Sequence, residues 1–423
     1  MLETIRNAFR IPDLRRRILF TLGMFIVFRV GVFVPVPGMD HAYIDRLIQE
    51  GTIFGLVDLF SGGALKNFSV FAMSVTPYIN ASIIMQLLTI VLPSLEQLAK
   101  EGEEGRKKLT QYTRYGTVVL ALIQGVGTAV GLRQAIINYQ LHPFLYIFVV
   151  AVTLTAGTSF LMWLGEQITE RGIGNGISLI IFAGIVARLP SGLGVIWEYL
   201  RAGSINILNV ALLVVIAVVV IVAVVWMQEG ERKIPVQYAK RVVGRRVYGG
   251  QSTHLPMRVN SAGVIPVIFA ASVLTMPVTI ANFFPSTTGW VAWIQRNFSF
   301  GSALYTAVYA LMIIFFTYFY SAITFNPIEI SDNIKKYGGF VPGFRPGKPT
   351  ADYLMRVSTR LTLPGSMFLA LIAILPIFVT WATGIRGLYF GGTALLIVVG
   401  VALETMKQIE AHLMMRHYQG FIR

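Results

Sequence analysis

The residues that most often carry catalysis or bind metals are few and widely separated in this chain. It has no cysteine, which excludes thiolate metal sites, iron–sulfur clusters, disulfides and cysteine nucleophiles. The five histidines lie at positions 41, 142, 254, 412 and 417, and no two share a helix face with a carboxylate at the spacing of metal ligands. The sequence has no HExxH pair, no GxSxG motif and no paired membrane aspartates. We therefore predict no catalytic residue, no metal site and no cofactor.

The composition predicts a protein that crosses a membrane many times. Of the 423 residues, 55% are apolar and only 13% are charged, whereas soluble domains carry roughly a quarter charged residues. These values exclude an ordinary soluble enzyme, a disordered chain and a coiled coil. A membrane-spanning helix needs about 20 mostly apolar residues. Ten segments of that kind are predicted: 18–37, 69–92, 115–136, 144–164, 173–189, 205–227, 261–284, 303–325, 361–382 and 388–403.

The positive charges alternate between the segments that join these spans. The segments on the side of the N-terminus hold 27 Lys and Arg residues, and those on the opposite side hold 5. Because cytoplasmic loops carry the excess of positive charge, both termini are predicted to be cytoplasmic. No small-residue cleavage site follows the first apolar run at Phe33–Pro37, so this run is predicted to stay as a helix.

The count of spans predicts two halves of opposite orientation. Five spans lie in residues 1–189 and five in 205–423, with the external segment 190–204 as a hinge between them. An odd number of spans in each half is the arrangement of inverted repeats. Two long cytoplasmic loops, 228–260 and 326–360, are basic and rich in Gly, Pro and Tyr, and each is suited to a protruding hairpin that a large partner binds. Their charge serves either to orient the chain or to bind an acidic partner such as ribosomal RNA.

The charges missing from the spans count against two other functions. No Asp or Glu lies inside any predicted span, although ion-coupled transporters usually keep a carboxylate there. A secondary transporter with a sodium site of carbonyls and hydroxyls stays open, whereas a membrane enzyme lacks a nucleophile, a metal or an acid pair. Arg29 is the one charge deep in a span, and we expect it to snorkel or to pair with a backbone carbonyl. Neutral polar residues such as Asn80, Gln86 and Gln124 indicate either interhelical hydrogen bonds or a seam that separates.

Several motifs along almost the whole chain resemble those of the SecY family, the large subunit of the bacterial protein-conducting channel. They are FSGGALKNFSVFAM at 60–73, PYINASIIMQLLT at 77–89, KEGEEGRKKLTQYTRYGT at 100–117, GEQITERGIGNGIS at 165–178, GRRVYGGQSTHLPMRVNSAGVIP at 244–266, FVPGFRPGKPT at 340–350 and YFGGTALLIVV at 389–399. Each motif alone is weak, but together and in order they are specific. The resemblance implies an all-α polytopic fold of ten transmembrane helices, in two inverted halves that form a clamshell around an hourglass pore.

The resemblance also implies a role for particular positions of this chain. The pore would close at a ring of aliphatic side chains: Val75, Ile79, Ile177, Ile181, Ile268 and Ile397. A plug at about 58–70 would seal its external side and includes Phe60, Ser61, Gly62, Gly63, Ala64 and Leu65. A lateral gate, through which apolar segments pass into lipid, would include Asn80, Gln86, Gln124, Asn260 and Ser261. The ribosome and the motor ATPase SecA would dock on the cytoplasmic loops at Lys240, Arg241, Arg245, Arg246 and Arg345.

The function that follows from the resemblance is that of a passive channel in the bacterial cytoplasmic membrane, with no enzyme activity of its own. It would pass secretory polypeptides across the membrane and release transmembrane segments sideways into lipid, driven by a motor or by translation. The partners implied are the small membrane subunits SecE and SecG, SecA, the ribosome, and signal sequences on nascent or precursor polypeptides.

Overall fold

A helix occupies the place of each of the ten predicted spans. The computed structural model describes residues 9–40, 44, 58, 61–135, 143–203, 205–238, 241–243, 246–248, 252–281, 284, 289–298, 301–383 and 392–420. Its helices are α1 Pro12–Val32, α2 Thr76–Val91, α3 Pro93–Lys100, α4 Glu103–Gly131, α5 Pro143–Arg171, α6 Gly176–Arg201, α7 Ile207–Glu229, α8 Ile265–Ala281, α9 Gly289–Asn297, α10 Ala303–Thr324, α11 Pro327–Lys336, α12 Lys348–Thr383 and α13 Gly392–Gly420. A short 3-10 helix spans Arg133–Ala135.

Local sequence signals explain where several helices begin. Asn175, Ser302 and Asn326 each accept a hydrogen bond from a backbone N–H three residues ahead, at the starts of α6, α10 and α11. Such caps satisfy donors that the first helical turn leaves free. Pro77 lies in the first turn of α2, where the missing N–H costs nothing. The second predicted span, 69–92, is therefore a helix only from Thr76, and residues 70–75 form turns.

The helix in the place of the fifth predicted span, α6, is longer than expected, so the connection between the halves is shorter. We expected the fifth span to end at 189 and a hinge to occupy 190–204, but α6 continues to Arg201 with Pro190 inside it. Only residues 202–206 separate α6 from α7. Proline in the fourth turn of a helix removes one hydrogen bond and bends it without ending it when neighbouring helices support both parts.

Five helices are long and apolar enough to cross a membrane in the part of the chain that the structure describes. They cover Phe144–Arg171, Gly176–Arg201, Ile207–Glu229, Ala303–Lys336 and Lys348–Val379. A sixth crossing results if α2 and α3 count together, although α3 bends away from α2 by 99°. The bend falls at Pro93, where proline keeps the residue before it extended. α8 is apolar but shorter.

The described residues are mostly helical, but the loops 228–260 and 326–360 also contain short strands. Strand β1, Glu231–Tyr238, lies between β4, Ser252–Arg258, and the two-residue strand β5, Gly339–Phe340, in an antiparallel sheet. Strands β2, Arg241–Val243, and β3, Arg246–Tyr248, form a separate hairpin. The loop 228–260 is thus a hairpin, as predicted, while 326–360 contributes α11, β5 and the start of α12. The sheet joins both loops into one body.

Contacts between helices define where the two halves meet. α8 of the second half packs against α2 and α4 of the first, and α13 packs against α6. A single cluster of buried apolar side chains runs through helices of both halves, from Phe28 on α1 to Val401 on α13. The predicted ring residues belong to this cluster or pack against it.

Candidate functional site

A cavity of about 370 Å³ lies between the halves, where α2 and α6 face α8. Four isoleucines of the predicted ring line it together: Ile79, Ile177, Ile181 and Ile268. Polar side chains line the same space, among them Ser82, Gln86, Thr169, Asn175 and the ion pair Arg114–Glu166, whose nitrogen and oxygen lie 2.7 Å apart. We call this the central cavity. One part of its lining is aliphatic, and another part is polar.

The two remaining positions of the predicted ring belong to the same cluster of apolar side chains. Val75 and Ile397 are buried in it with Ile79, Ile181 and Ile268, and Ile177 packs against it. Val75 is the residue before α2 and not part of the helix, and its carbonyl accepts the Ile79 N–H at 3.0 Å. Ile177 and Ile181 lie one turn apart on α6, so they share a face.

The described part of the predicted plug lies beside these isoleucines. Ala64 is fully buried in the cluster that holds Val75 and Ile181. Gly62 rests against α6: a Cβ atom on Gly62 would lie 2.8 Å from Gly184 Cα, and its φ of +68° also favours glycine. Ser61 and Leu65 are buried as well. Phe60 lies outside the described residues.

Two polar contacts tie this segment to the helices around it. Arg29 Nη1 on α1 donates to the Gly62 carbonyl at 2.9 Å, and its guanidinium lies 4.9 Å from the Phe33 ring centroid. The expectation that Arg29 pairs with a backbone carbonyl is therefore confirmed. Asp58 is fully buried, accepts the Lys66 N–H at 2.7 Å and forms an ion pair with Arg188 on α6.

The segment between the plug and α2 has a strained backbone. Phe68 and Ser74 have φ values of 38° and 54°, a region that costs non-glycine residues of order 1 kcal/mol or more. We call residues 68–75 the strap. Its Phe71 ring stacks on Phe28 at 6.2 Å between ring centroids and on Phe160 at 6.0 Å. The stacking contacts therefore hold the strap in a conformation that its backbone strain disfavours.

The five predicted gate residues do not form one group. Gln86 lines the central cavity, whereas Asn260 and Ser261 line a second one. Ser261 Oγ lies 3.2 Å from Ser321 Oγ on α10, which in turn lies 3.1 Å from Thr362 Oγ1 on α12. Asn80 on α2 is buried, and its side-chain amide has no hydrogen-bond partner among the described residues. Gln124 is half-buried on α4.

The loops 228–260 and 326–360, which are predicted to be cytoplasmic, form one packed body around the three-stranded sheet. Its apolar core joins Ile234 and Met257 of the sheet to Ile334 on α11 and Leu354 on α12. We call β1, β4, β5, α11 and the first three turns of α12 the cytoplasmic unit, after the side of the membrane on which the charge pattern predicts these loops. Of the predicted docking residues, Arg241 and Arg246 lie in β2 and β3, while Lys240 and Arg245 lie outside the described residues.

Arg345 is exposed on a loop that three contacts hold in place. The Phe344 ring stacks on Tyr353, with centroids 4.1 Å apart. Thr350 Oγ1 donates to the Arg345 carbonyl at 2.8 Å, and Ser331 Oγ donates to the Gly347 carbonyl at 2.7 Å. The loop therefore presents the guanidinium without needing to be ordered by a partner.

Sequence reasoning missed two ion pairs that the fold assembles. Asp58 begins the predicted plug, and Arg188 lies near the end of the fifth predicted span, 173–189. The Arg114–Glu166 pair brings α4 and α5 together at the mouth of the central cavity. Opposite charges this far apart in sequence give no local pattern, so only the fold reveals that they pair.

The fold is that of protein-conducting channels. A solved protein-conducting channel superimposes with a TM-score of 0.65, at 19% identity, over 96% of each chain. Sec61 from a canine ribosome–channel complex of the endoplasmic reticulum gives 0.60, at 18% identity, also over 96% of each chain. At these identities the likeness establishes the fold alone.

Sequence comparison defines the family. The model of the SecY family matches residues 69–406. The protein translocase subunit SecY of Halalkalibacterium halodurans is 52% identical over all of both chains. Its Escherichia coli counterpart is 50% identical over 97% of this chain and 94% of that one. The chain belongs to the SecY family, and it is a multi-pass protein of the cell membrane.

Proposed function

We propose that this chain forms a channel that passes unfolded polypeptides across the cytoplasmic membrane and releases apolar segments sideways into lipid. The observation that carries the proposal is the central cavity, where aliphatic side chains from α2, α6 and α8 converge beside a small-residue segment. Family membership supports it, since the relatives are named as translocase subunits. The family is one of channel subunits and not of enzymes.

The isoleucines would act as the waist of the pore. An aliphatic constriction sheds water when it is empty and so blocks ions, yet it yields around a passing chain. Val75 and Ile397 would complete the ring with the four isoleucines of the cavity wall. Residues 58–70 would act as the plug. The Arg29–Gly62 hydrogen bond and the Asp58–Arg188 ion pair are the contacts that would keep it closed.

Sideways release needs an interface between helices that can open. We place this seam where α8 packs against α2 and α4. Its opening would separate Asn80, Gln86 and Gln124 from Asn260 and Ser261. An apolar segment that leaves water gains about 25 cal/mol for each Å² that it buries. The ten spans would form a clamshell of two inverted halves, with both termini in the cytoplasm and the short 202–206 connection, which overlaps the end of the predicted hinge 190–204, as the hinge.

The cytoplasmic unit would be the docking surface for the ribosome and the motor ATPase SecA. Its rigid presentation of Arg345 supports this role, as does the likeness to Sec61 from a ribosome–channel complex. The small subunit SecE would brace the clamshell, and SecG would accompany it. Signal sequences, on nascent chains or finished precursors, would be the segments that part the seam.

Protease protection of a precursor in vesicles tests the whole proposal. The protein is reconstituted with SecE and SecG and supplied with SecA, ATP and a secretory precursor. Protected precursor that depends on ATP and on this subunit is the expected result. No protection, in vesicles where an active relative succeeds, would refute the channel. Uptake of small solutes by those vesicles would then favour the secondary transporter.

A further inference from the structure

A second cavity, of about 460 Å³, opens at the cytoplasmic end of the C-terminal half. The end of α7, the start of α8, the end of α10 and the middle of α13 surround it. It meets the central cavity at Ile265 and Tyr320, which line both. Its volume lies in the range of sites that bind small molecules or short segments of chain. We call it the side cavity.

Two buried polar atoms of this cavity lack a partner among the described residues. They are Gln228 Nε2, a donor, and Asn260 Oδ1, an acceptor. Asn260 is only 6% exposed, and its Nδ2 donates to the Gly263 carbonyl at 3.0 Å. That bond fixes the orientation of the amide, so Oδ1 is the atom left without a partner. A buried polar atom without a partner costs about 1–3 kcal/mol, a cost that a ligand in the cavity would remove.

The close approach of α13 holds the Gln228 amide in place. A Cβ atom on Gly400 would lie 2.7 Å from Gln228 Nε2 and 2.3 Å from Val264 Cγ1. Only glycine leaves room there for the amide. The donor is thus positioned by packing and does not depend on a hydrogen bond.

One donor and one acceptor match what a peptide group offers. A backbone unit carries one N–H and one C=O, so it can donate to Asn260 Oδ1 and accept from Gln228 Nε2. Arg258, Lys407 and Glu404 place both signs of charge around the cavity. A phosphate headgroup without a proton only accepts hydrogen bonds, so it would leave Asn260 Oδ1 without a partner. Main-chain groups occur in every polypeptide, so recognition through them is independent of sequence.

We propose that the side cavity binds a main-chain peptide group of a polypeptide before that chain enters the central cavity. The inference rests on the proposed channel function and adds a binding site to it. Apolar surfaces from Val264, Ile265 and Leu403 would contact the neighbouring side chains without selecting among them. Two hydrogen bonds would hold the polypeptide only briefly, so it could move on into the central cavity.

Disulfide trapping tests the site, because the chain has no cysteine of its own. A precursor with one cysteine is arrested during translocation in vesicles. Thr324→Cys places a thiol on the side cavity, and Ile323→Cys places one at the same depth of α10 on an exposed apolar position. Ile79→Cys reports the central cavity. We expect the precursor to react with Thr324→Cys and Ile79→Cys but not with Ile323→Cys.

A second substitution tests whether the side cavity binds the main chain of the precursor or whether the precursor only passes close to it. Gln228→Leu in the Thr324→Cys background should lower the yield of the disulfide at least about fivefold, and Met227→Leu should not. An unchanged yield with Gln228→Leu would overturn main-chain binding, as would protection of Thr324→Cys from maleimide by phospholipid in the absence of precursor. Reaction at Ile79→Cys alone would overturn the side cavity and keep the channel. Reaction at none of the three, with no protected precursor, would refute the channel itself.

Discussion

Asp58 and Arg188 lie 130 residues apart in the chain and form a buried ion pair. The carboxylate has no exposure, whereas the guanidinium is 20% exposed at its side chain. Asp58 belongs to the predicted plug and Arg188 to α6, which also carries Ile177 and Ile181. The pair therefore connects the segment that would leave on opening to a helix that lines the central cavity.

Breaking this ion pair should make the closed channel leak. Removing one partner of a buried pair costs about 3–5 kcal/mol, because the other charge stays buried alone. We expect Asp58→Asn to raise the ion leak of reconstituted vesicles at least about tenfold. The double variant Asp58→Asn with Arg188→Gln should leak less than Asp58→Asn, since no charge is then left unpaired.

The matched control for that experiment is Glu198→Gln, which neutralises an exposed carboxylate of the same helix. It should leave the leak unchanged. Equal leak in Asp58→Asn and the intact protein, with both folded, would show that the pair does not hold the plug.

A polar side chain in the predicted ring should let ions pass. Ile181 is 2% exposed and lines the central cavity, so Ile181→Ser should wet the constriction and raise single-channel conductance about tenfold or more. Ile181→Leu keeps an apolar surface of equal size and should not. Val218→Ser on the exposed face of α7 controls for a serine at an apolar position facing outward. Conductance of Ile181→Ser equal to that of Val218→Ser would remove Ile181 from the ring.

Reversing the charge of Arg345 should abolish docking without unfolding the protein. Arg345→Glu changes an exposed side chain, and surface changes of this kind move stability by about 0.5 kcal/mol at most. We expect at least tenfold less protected precursor when SecA drives translocation. Lys335→Glu makes the same change of charge at an exposed position of the same cytoplasmic unit and should keep most of the activity. Equal loss in both variants would point to net charge and not to Arg345.

The buried amide of Asn80 should weaken the closed seam. Both of its polar atoms lack a hydrogen-bond partner in the described structure, and Asn80→Leu removes that cost of about 1–3 kcal/mol. We expect a higher Tm and less sideways release of a segment of intermediate apolarity, measured as the inserted fraction against the translocated one. Asn80→Ala also removes the amide but leaves a cavity. Comparing it with Asn80→Leu therefore separates the effect of losing the amide from the effect of added apolar packing. A lower Tm for Asn80→Leu would mean that the amide has a partner in the membrane.

The strap should not tolerate a side chain at Gly157. A Cβ atom there would lie 1.8 Å from the Val70 carbonyl oxygen, so Gly157→Ala must displace the strap or α5. We expect a loss of about 1–3 kcal/mol and a leak, since the strap leads directly from the plug to α2. Gly23→Ala on α1, where a Cβ atom meets nothing within 4 Å, should be neutral or slightly stabilising. Wild-type behaviour of Gly157→Ala would contradict the tight contact.

Most of the helical architecture could be predicted because long apolar runs have few other solutions in a membrane. Every predicted span has its helix, yet the ends differ where tertiary contacts decide. Composition placed the end of the fifth span at 189, before Pro190, but the helix continues to Arg201. The three-stranded sheet was not predicted from the sequence, because β5 has only two residues and pairs with a strand about a hundred residues earlier.

For the candidate site, side-chain types were predictable and pairings were not. Arg29 had to find an acceptor in an apolar helix bundle, so a carbonyl partner was a sound expectation. Which carbonyl it finds, that of Gly62, depends on how residues 61–75 fold back. Asn260 and Ser261 were grouped with Gln86 because the family resemblance implied a lateral gate that includes all three. The fold separates them, because hydroxyl contacts to Ser321 and Thr362 hold Ser261 within the C-terminal half.

The sheet that joins the loops 228–260 and 326–360 has a mechanical consequence. Strand β1 continues from α7, β4 leads towards α8, and β5 lies between α11 and α12. A load applied to either loop is therefore shared among the helices that both loops connect. The C-terminal half would then move as one body. A force applied to its loops would reach α8, the helix at the proposed seam.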